Sequence, residues 1–273
     1  MVRSRSALSS YIDRLLSEGR SVFTAAQAED ELGITHRSFL DASERLQRSG
    51  KLIRPRQGFY VVVPPQYASW GAPPPTWFID ALMRWENEAY YVALLKAAEL
   101  HGATHQAVMQ FQVVCGKRLP EIRAGRSLIV FYFRRAMAPP VAGVENRKTD
   151  TGTMKVSSAA LTALDLLRYP QASGGIDNVS TVLAELAPAI EPDELASLSA
   201  RTERSVVQRL GYLLDWIGAD RLAQPMLDAL LSKSPLRWTE LEREARDPDF
   251  ASDLPLQDPK WRIVAHRPPE PDL

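Results

Sequence analysis

His101 and His105 stand four residues apart, the spacing of a metal-binding pair on one helix face. Gly102 falls between them and no third ligand follows at suitable spacing, so His101-Gly102 reads as a helix end and no metal is expected. Cys115 is the one thiol in the chain, and it lies between Val114 and Gly116 in an apolar run, without a His or Asn to activate it as a nucleophile. Glu86 and Glu88 flank Asn87 as a conceivable hydrolytic pair, yet solvated charges at a helix junction explain them more simply. Gly174-Gly175 lacks the Lys-Ser/Thr that a phosphate-cradling loop requires and suits a plain turn. These residues support neither catalysis nor a bound cofactor.

A different chemistry is written between His36 and Gln57. His36, Arg37 and Ser38 open a helix, where side chains can enter the major groove of duplex DNA and meet base edges. Arg45 and Arg48 lie further along, where phosphate contacts are expected, and Arg54, Arg56 and Gln57 lie at or near the tip of a hairpin that would touch the sugar-phosphate backbone or the minor groove.

The elements that must position these groups are legible. Arg5 to Glu18 carries Leu8, Ile12, Leu15 and Leu16 on one helical face, closed by Gly19. Thr24 caps a short helix over Ala25 to Leu32, Gly33-Ile34-Thr35 makes a tight corner, and Thr35 caps a third helix in which Phe39, Ala42 and Leu46 repeat before Gly50. Lys51 to Val63 then reads as two strands around a turn at Pro55 to Gly58, the wing expected after a recognition helix. Residues 1–63 thus predict a winged helix-turn-helix. Ten basic residues there oppose seven acidic ones; the acids concentrate on the first two helices, while the third helix and wing are net basic. A winged domain that only contacts protein is the alternative.

The whole chain has no such bias. It holds 273 residues, with 33 basic and 33 acidic, so global electrostatics give no argument for nucleic acid. Its length and 45% apolar content fit two globular domains. One cysteine precludes an internal disulfide, and neither a secretory segment nor a membrane span is found, which points to the cytoplasm.

Five prolines between Pro64 and Pro75 mark residues 64–75 as a linker or strap, with Tyr67 and Trp70 suggesting that it packs. The remainder, 76–273, predicts helices over Thr76 to Asn87 and Glu88 to Leu100, strands over Phe111 to Cys115 and Leu128 to Phe133, and further strands near Val144 to Lys148 and Thr153 to Val156. Ser157 to Leu167 is helical, and after a polar break at Pro170 to Asp177 the pattern is helical almost to the end, with a frayed tail from Arg267. The fold class is α+β: a winged helix-turn-helix, then a larger α+β domain with a helical portion from about residue 177. Arg118, Arg123, Arg126, Arg134, Arg135, Arg147 and Lys148 could line a second surface for DNA or an acidic protein; arginines at strand ends are an equal reading.

Taken together, the segment Gly58-Phe59-Tyr60-Val61-Val62-Val63-Pro64, the helix Tyr90-Tyr91-Val92-Ala93-Leu94-Leu95-Lys96-Ala97-Ala98-Glu99-Leu100-His101-Gly102, and Lys155-Val156-Ser157 leading into Leu161-Thr162-Ala163-Leu164-Asp165-Leu166-Leu167 resemble the AbiEi antitoxins of type IV toxin-antitoxin systems. The resemblance runs from about Leu8 to Trp216 and rests on structural patterns rather than a catalytic signature. It implies a non-enzymatic bacterial antitoxin for phage defence. Its winged domain would repress its own operon at inverted repeats of double-stranded DNA, through Arg37, Ser38, Arg45, Arg54 and Arg56. Its larger domain would counter a nucleotidyltransferase toxin, directly or indirectly. The competing readings are a winged-helix transcriptional regulator whose larger domain senses a ligand or protein partner, and a DNA-acting enzyme targeted by the winged module.

Overall fold

The structure is a computed structural model that describes residues 2–103, 108–135, 137, 141–231, 236–242 and 255–271. The chain forms two compact units: Met1–Tyr91, Met109–Pro139 and Asn146–Lys155 make one; Val92–Val108, Pro140–Glu145 and Val156–Leu273 make the other. The proline-rich strap is therefore not a boundary between compact units. The winged module shares its unit with a β-sheet.

In the first unit, α1 (Val2–Ser17), β1 (Val22–Thr24), α2 (Ala25–Leu32) and α3 (His36–Arg48) precede a hairpin of β2 (Leu52–Arg56) and β3 (Phe59–Val62). Thr24 caps α2 with a capping box to Gln27, and Gly33 ends it at φ 60°, a left-handed conformation that glycine adopts without strain. Thr35 caps α3 by accepting from the Ser38 amide. The three strands pair antiparallel in the order β1-β3-β2. Leu8, Tyr11, Ile12, Leu15, Phe23, Phe39, Leu52, Tyr60 and Val62 fill the interior. Phe23 stacks on Tyr60 at 5.5 Å, and Phe39 meets Tyr60 edge-on at 5.2 Å, so α3 is pinned to the hairpin by aromatic contacts.

The strap leaves Tyr67 half-buried and Trp70 exposed. It forms two 3-10 turns, Pro65–Trp70 and Pro75–Trp77. The Tyr67 and Trp77 rings meet edge-on, and the Arg126 amide donates to the Trp70 carbonyl. After α4 (Ile79–Trp85) come β4 (Tyr90–Val92), β5 (Gln110–Cys115), β6 (Ile122–Ala124), β7 (Ser127–Phe133), β8 (Val144–Thr149) and β9 (Gly152–Ser157), in the sheet order β6-β7-β5-β4-β9-β8. β5 runs parallel to β7 from Gln110↔Leu128 to Cys115↔Phe133. Sequence reasoning merges β4 into a helix over Glu88 to Leu100. The structure has positive φ at Asn87 (54°), just before that segment, and at Leu94 (56°) within it, and Tyr90–Val92 becomes a fully buried strand instead.

In the second unit, α5 (Leu94–Leu100), α6 (Ala159–Arg168), α7 (Gly175–Leu186), α8 (Pro192–Ser199), α9 (Arg204–Trp216) and α10 (Asp220–Leu231) occur in chain order. α6 is buried from Ala159 through Leu167, which makes it the central helix. The expectation of helix almost to the C-terminus is corrected by a small sheet, β10 (Thr239–Glu240), β11 (Leu256–Asp258) and β12 (Ile263–Ala265), in the order β10-β12-β11. It is tied to α9: Gln208 Nε2 donates to the Trp261 and Arg237 carbonyls, and the Trp261 indole donates to Asp215 Oδ2 at 2.6 Å. An added Cβ on Gly211 would lie 2.3 Å from that indole, so the helix carries glycine where the ring crosses it. The tail expected to fray is anchored at Arg267, which pairs with both carboxylate oxygens of Asp177; residues 272 and 273 lie outside the described residues. Among the described residues, no helix is long and apolar enough to cross a membrane.

Candidate nucleic-acid interface

On α3, Phe39, Ala42 and Ser43 are buried, so the helix must present the residues about half a turn away: His36, Arg37, Leu40, Asp41, Glu44 and Arg48 are exposed. Arg37 has no ion pair among the described residues. His36 is held by its Nδ1, 2.6 Å from Glu29 Oε1 on α2, which leaves Nε2 for another partner. Ser38 is half-buried and belongs to the cap, its Oγ accepting from Thr35 Oγ1 at 3.1 Å. Arg48 pairs with Glu44 one turn earlier, and Arg45 is half-buried. Arg37 is therefore the cation on the first turn of α3 that the fold leaves uncommitted.

The wing differs from its sequence reading. Pro55 and Arg56 are part of β2, and the turn shrinks to Gln57 and Gly58, with Gly58 at φ 78°. Trp85 of α4 closes over this turn; a Cβ on Gly58 would lie 3.2 Å from its ring, and Phe59 lies 6.3 Å away between centroids. Arg56 does not reach a free tip. Its Nε donates to Glu86 Oε1 at 2.6 Å, its Nη2 to the Pro120 carbonyl at 2.7 Å, and its guanidinium lies 5.7 Å over the Phe131 ring. With side-chain exposures of 18% and 14%, Arg56 and Glu86 form a largely buried ion pair instead of a free tip cation and a solvated acid. Arg54 and Gln57 remain exposed. Sequence reasoning could not see this because the partners lie 30 and 64 residues away.

The second basic run is divided. Arg123 lies on β6 at one edge of the six-stranded sheet, and Arg147 and Lys148 lie on β8 at the other, about 24 Å across five strand spacings. Arg118 sits over Phe133 and Arg126 over Trp70, each as a cation on an aromatic face, while Arg134 donates to the Tyr91 hydroxyl at 2.7 Å. Arg135 is exposed. The sheet order thus holds Arg123 apart from Arg147 and Lys148.

The other candidate groups are structural. Cys115 is buried, burial pushes its thiol pKa up, and its Sγ donates to the Lys117 carbonyl. His101 Nε2 lies 2.8 Å from the Ser157 carbonyl, and His105 lies outside the described residues. No group of three or more His, Cys, Asp or Glu among the described residues is arranged to hold a metal ion.

Two family models cover most of this architecture. The model described as transcriptional regulator, AbiEi antitoxin matches residues 10–63, which is the winged module from within α1 to the end of the hairpin. The model for the AbiEi antitoxin C-terminal domain matches residues 91–216, from β4 through α9. The chain belongs to the AbiEi antitoxin family. Within this AbiEi chain, β10 to β12 lie beyond the family match, and α4 and the strap lie between the two. The curated proteins contain no significant match. Among solved structures, the crystal structure of the Mycobacterium tuberculosis protein RV2827C aligns with a TM-score of 0.67 at 19% identity, covering 95% of this chain and 91% of that one. At that identity the likeness shows the fold alone.

Proposed function

We propose that this AbiEi-family antitoxin binds duplex DNA through α3, represses its own toxin-antitoxin operon, and counters a nucleotidyltransferase toxin through the part of the chain that follows the winged module. One observation carries the DNA-binding part. An uncommitted Arg37 stands on the first turn of a helix whose inner face is locked by Phe39 against Tyr60, so the helix can enter the major groove as a rigid body. Arg37 is suited to guanine O6 and N7. His36 and Ser38 border the same turn, while Arg45, Arg48, Arg54 and Gln57 flank it for the phosphates. Arg56 is outside this set.

The test is a binding titration of duplex DNA from upstream of the gene against scrambled duplex, combined with co-expression with any nucleotidyltransferase encoded beside it. Selective binding and relief of growth arrest are expected. Selective binding without relief would support a second reading, a regulator that senses a ligand. That reading is favoured by a cleft of about 900 Å³ in the first unit, lined by Thr24 and Gln27 at the start of α2 and by Trp77, Arg84 and Lys155.

A further inference from the structure

We propose that Leu40 reads the C5-methyl group of a thymine beside the base contacted by Arg37; the inference rests on the reading that α3 enters the major groove. At 100° per residue, Leu40 stands about 60° around the helix from Arg37, one turn later and on the outward side. It is 39% exposed, and its exposed neighbours on that side, His36, Arg37, Asp41 and Glu44, are all polar or charged. A single exposed leucine is ordinary on a protein surface. This one lies one turn beyond Arg37 on the outward side of a helix whose packing is already complete through Phe39, Ala42 and Ser43. Burying that surface against another protein would desolvate Arg37 and Asp41 without a stated partner, whereas the major groove offers hydrogen-bonding base edges to the charged groups and an apolar methyl to the leucine. Of the four bases, thymine alone presents that methyl.

The wild-type protein is first used to select a site from a random duplex library. Each thymine of that site is then replaced singly by deoxyuridine, which keeps the pairing and O4 and removes only the methyl group. At one position the wild type should lose about three- to fivefold in affinity, the worth of one buried methyl group. Leu40→Ala should lose nothing further there while keeping the wild-type response elsewhere, and Leu40→Met should retain the response. Equal melting of the three proteins confirms folding, as expected for an exposed position. Selection of a site with no deoxyuridine position that depends on Leu40 overturns the inference and leaves DNA binding intact. Failure to select any sequence overturns the reading beneath it.

Discussion

Replacing Arg56 by Ala separates a wing that docks from a wing that touches DNA. The substitution strands Glu86, removes the bond to the Pro120 carbonyl, and uncovers Phe131. Removing one member of a fully buried ion pair costs about 3–5 kcal/mol. Because this pair keeps 18% and 14% of its side-chain exposure, water recovers part of that, and about 2–3 kcal/mol is expected. At about 2–4 °C per kcal/mol, the transition of the first unit should fall by about 4–12 °C in differential scanning calorimetry. Arg56→Met combined with Glu86→Leu should recover most of it, since no charge is left unpaired. In a salt titration of DNA binding, Arg56→Ala should leave the slope of log K against log salt unchanged, whereas Arg54→Ala should reduce it by about one. An Arg56→Ala protein that melts like wild type and loses a unit of salt slope would refute the docked wing.

Other substitutions probe the supports. Phe39→Ala removes the ring that pins α3 to Tyr60 and should cost about 3–5 kcal/mol in denaturant unfolding, with DNA binding lost as α3 loosens. Gly211→Ala drives a methyl into the Trp261 indole and should cost about 1–3 kcal/mol, with the intrinsic tryptophan emission shifted to the red. Hydrogen bonds from Arg267 hold the Asp177 carboxyl below its ordinary pKa, so their stabilising effect is present above about pH 4 and is lost as pH falls through the lowered value. Limited proteolysis should therefore release the C-terminal tail only in acid, and Asp177→Asn should abolish that pH dependence.

The winged module was legible because its signals are local. Thr24 and Thr35 cap, Gly33 turns, and Phe39, Ala42 and Leu46 repeat at helical spacing, all within a few residues of what they control. The hairpin followed from the run Phe59 to Val63, but its docking did not, since Trp85, Glu86 and Pro120 become neighbours only through the tertiary fold. β4 was missed because a buried strand and a buried helix segment share an unbroken apolar run, and Tyr90 to Val92 is too short to show a period. The strands around Trp261 were hidden for the same reason, each being two or three residues long. The basic run left a second surface and arginines at strand ends as equal readings because spacing along the chain does not show strand order, and the sheet order sends Arg123 and Arg147 to opposite edges.

The central claim, that α3 reads DNA with Arg37, is tested most directly by a gel-shift titration of DNA from upstream of the gene, with scrambled competitor, comparing wild type and Arg37→Ala. Selective binding by the wild type that becomes indifferent to sequence in the variant is the predicted result. Binding without preference by both proteins, or selectivity unchanged in Arg37→Ala, would contradict it.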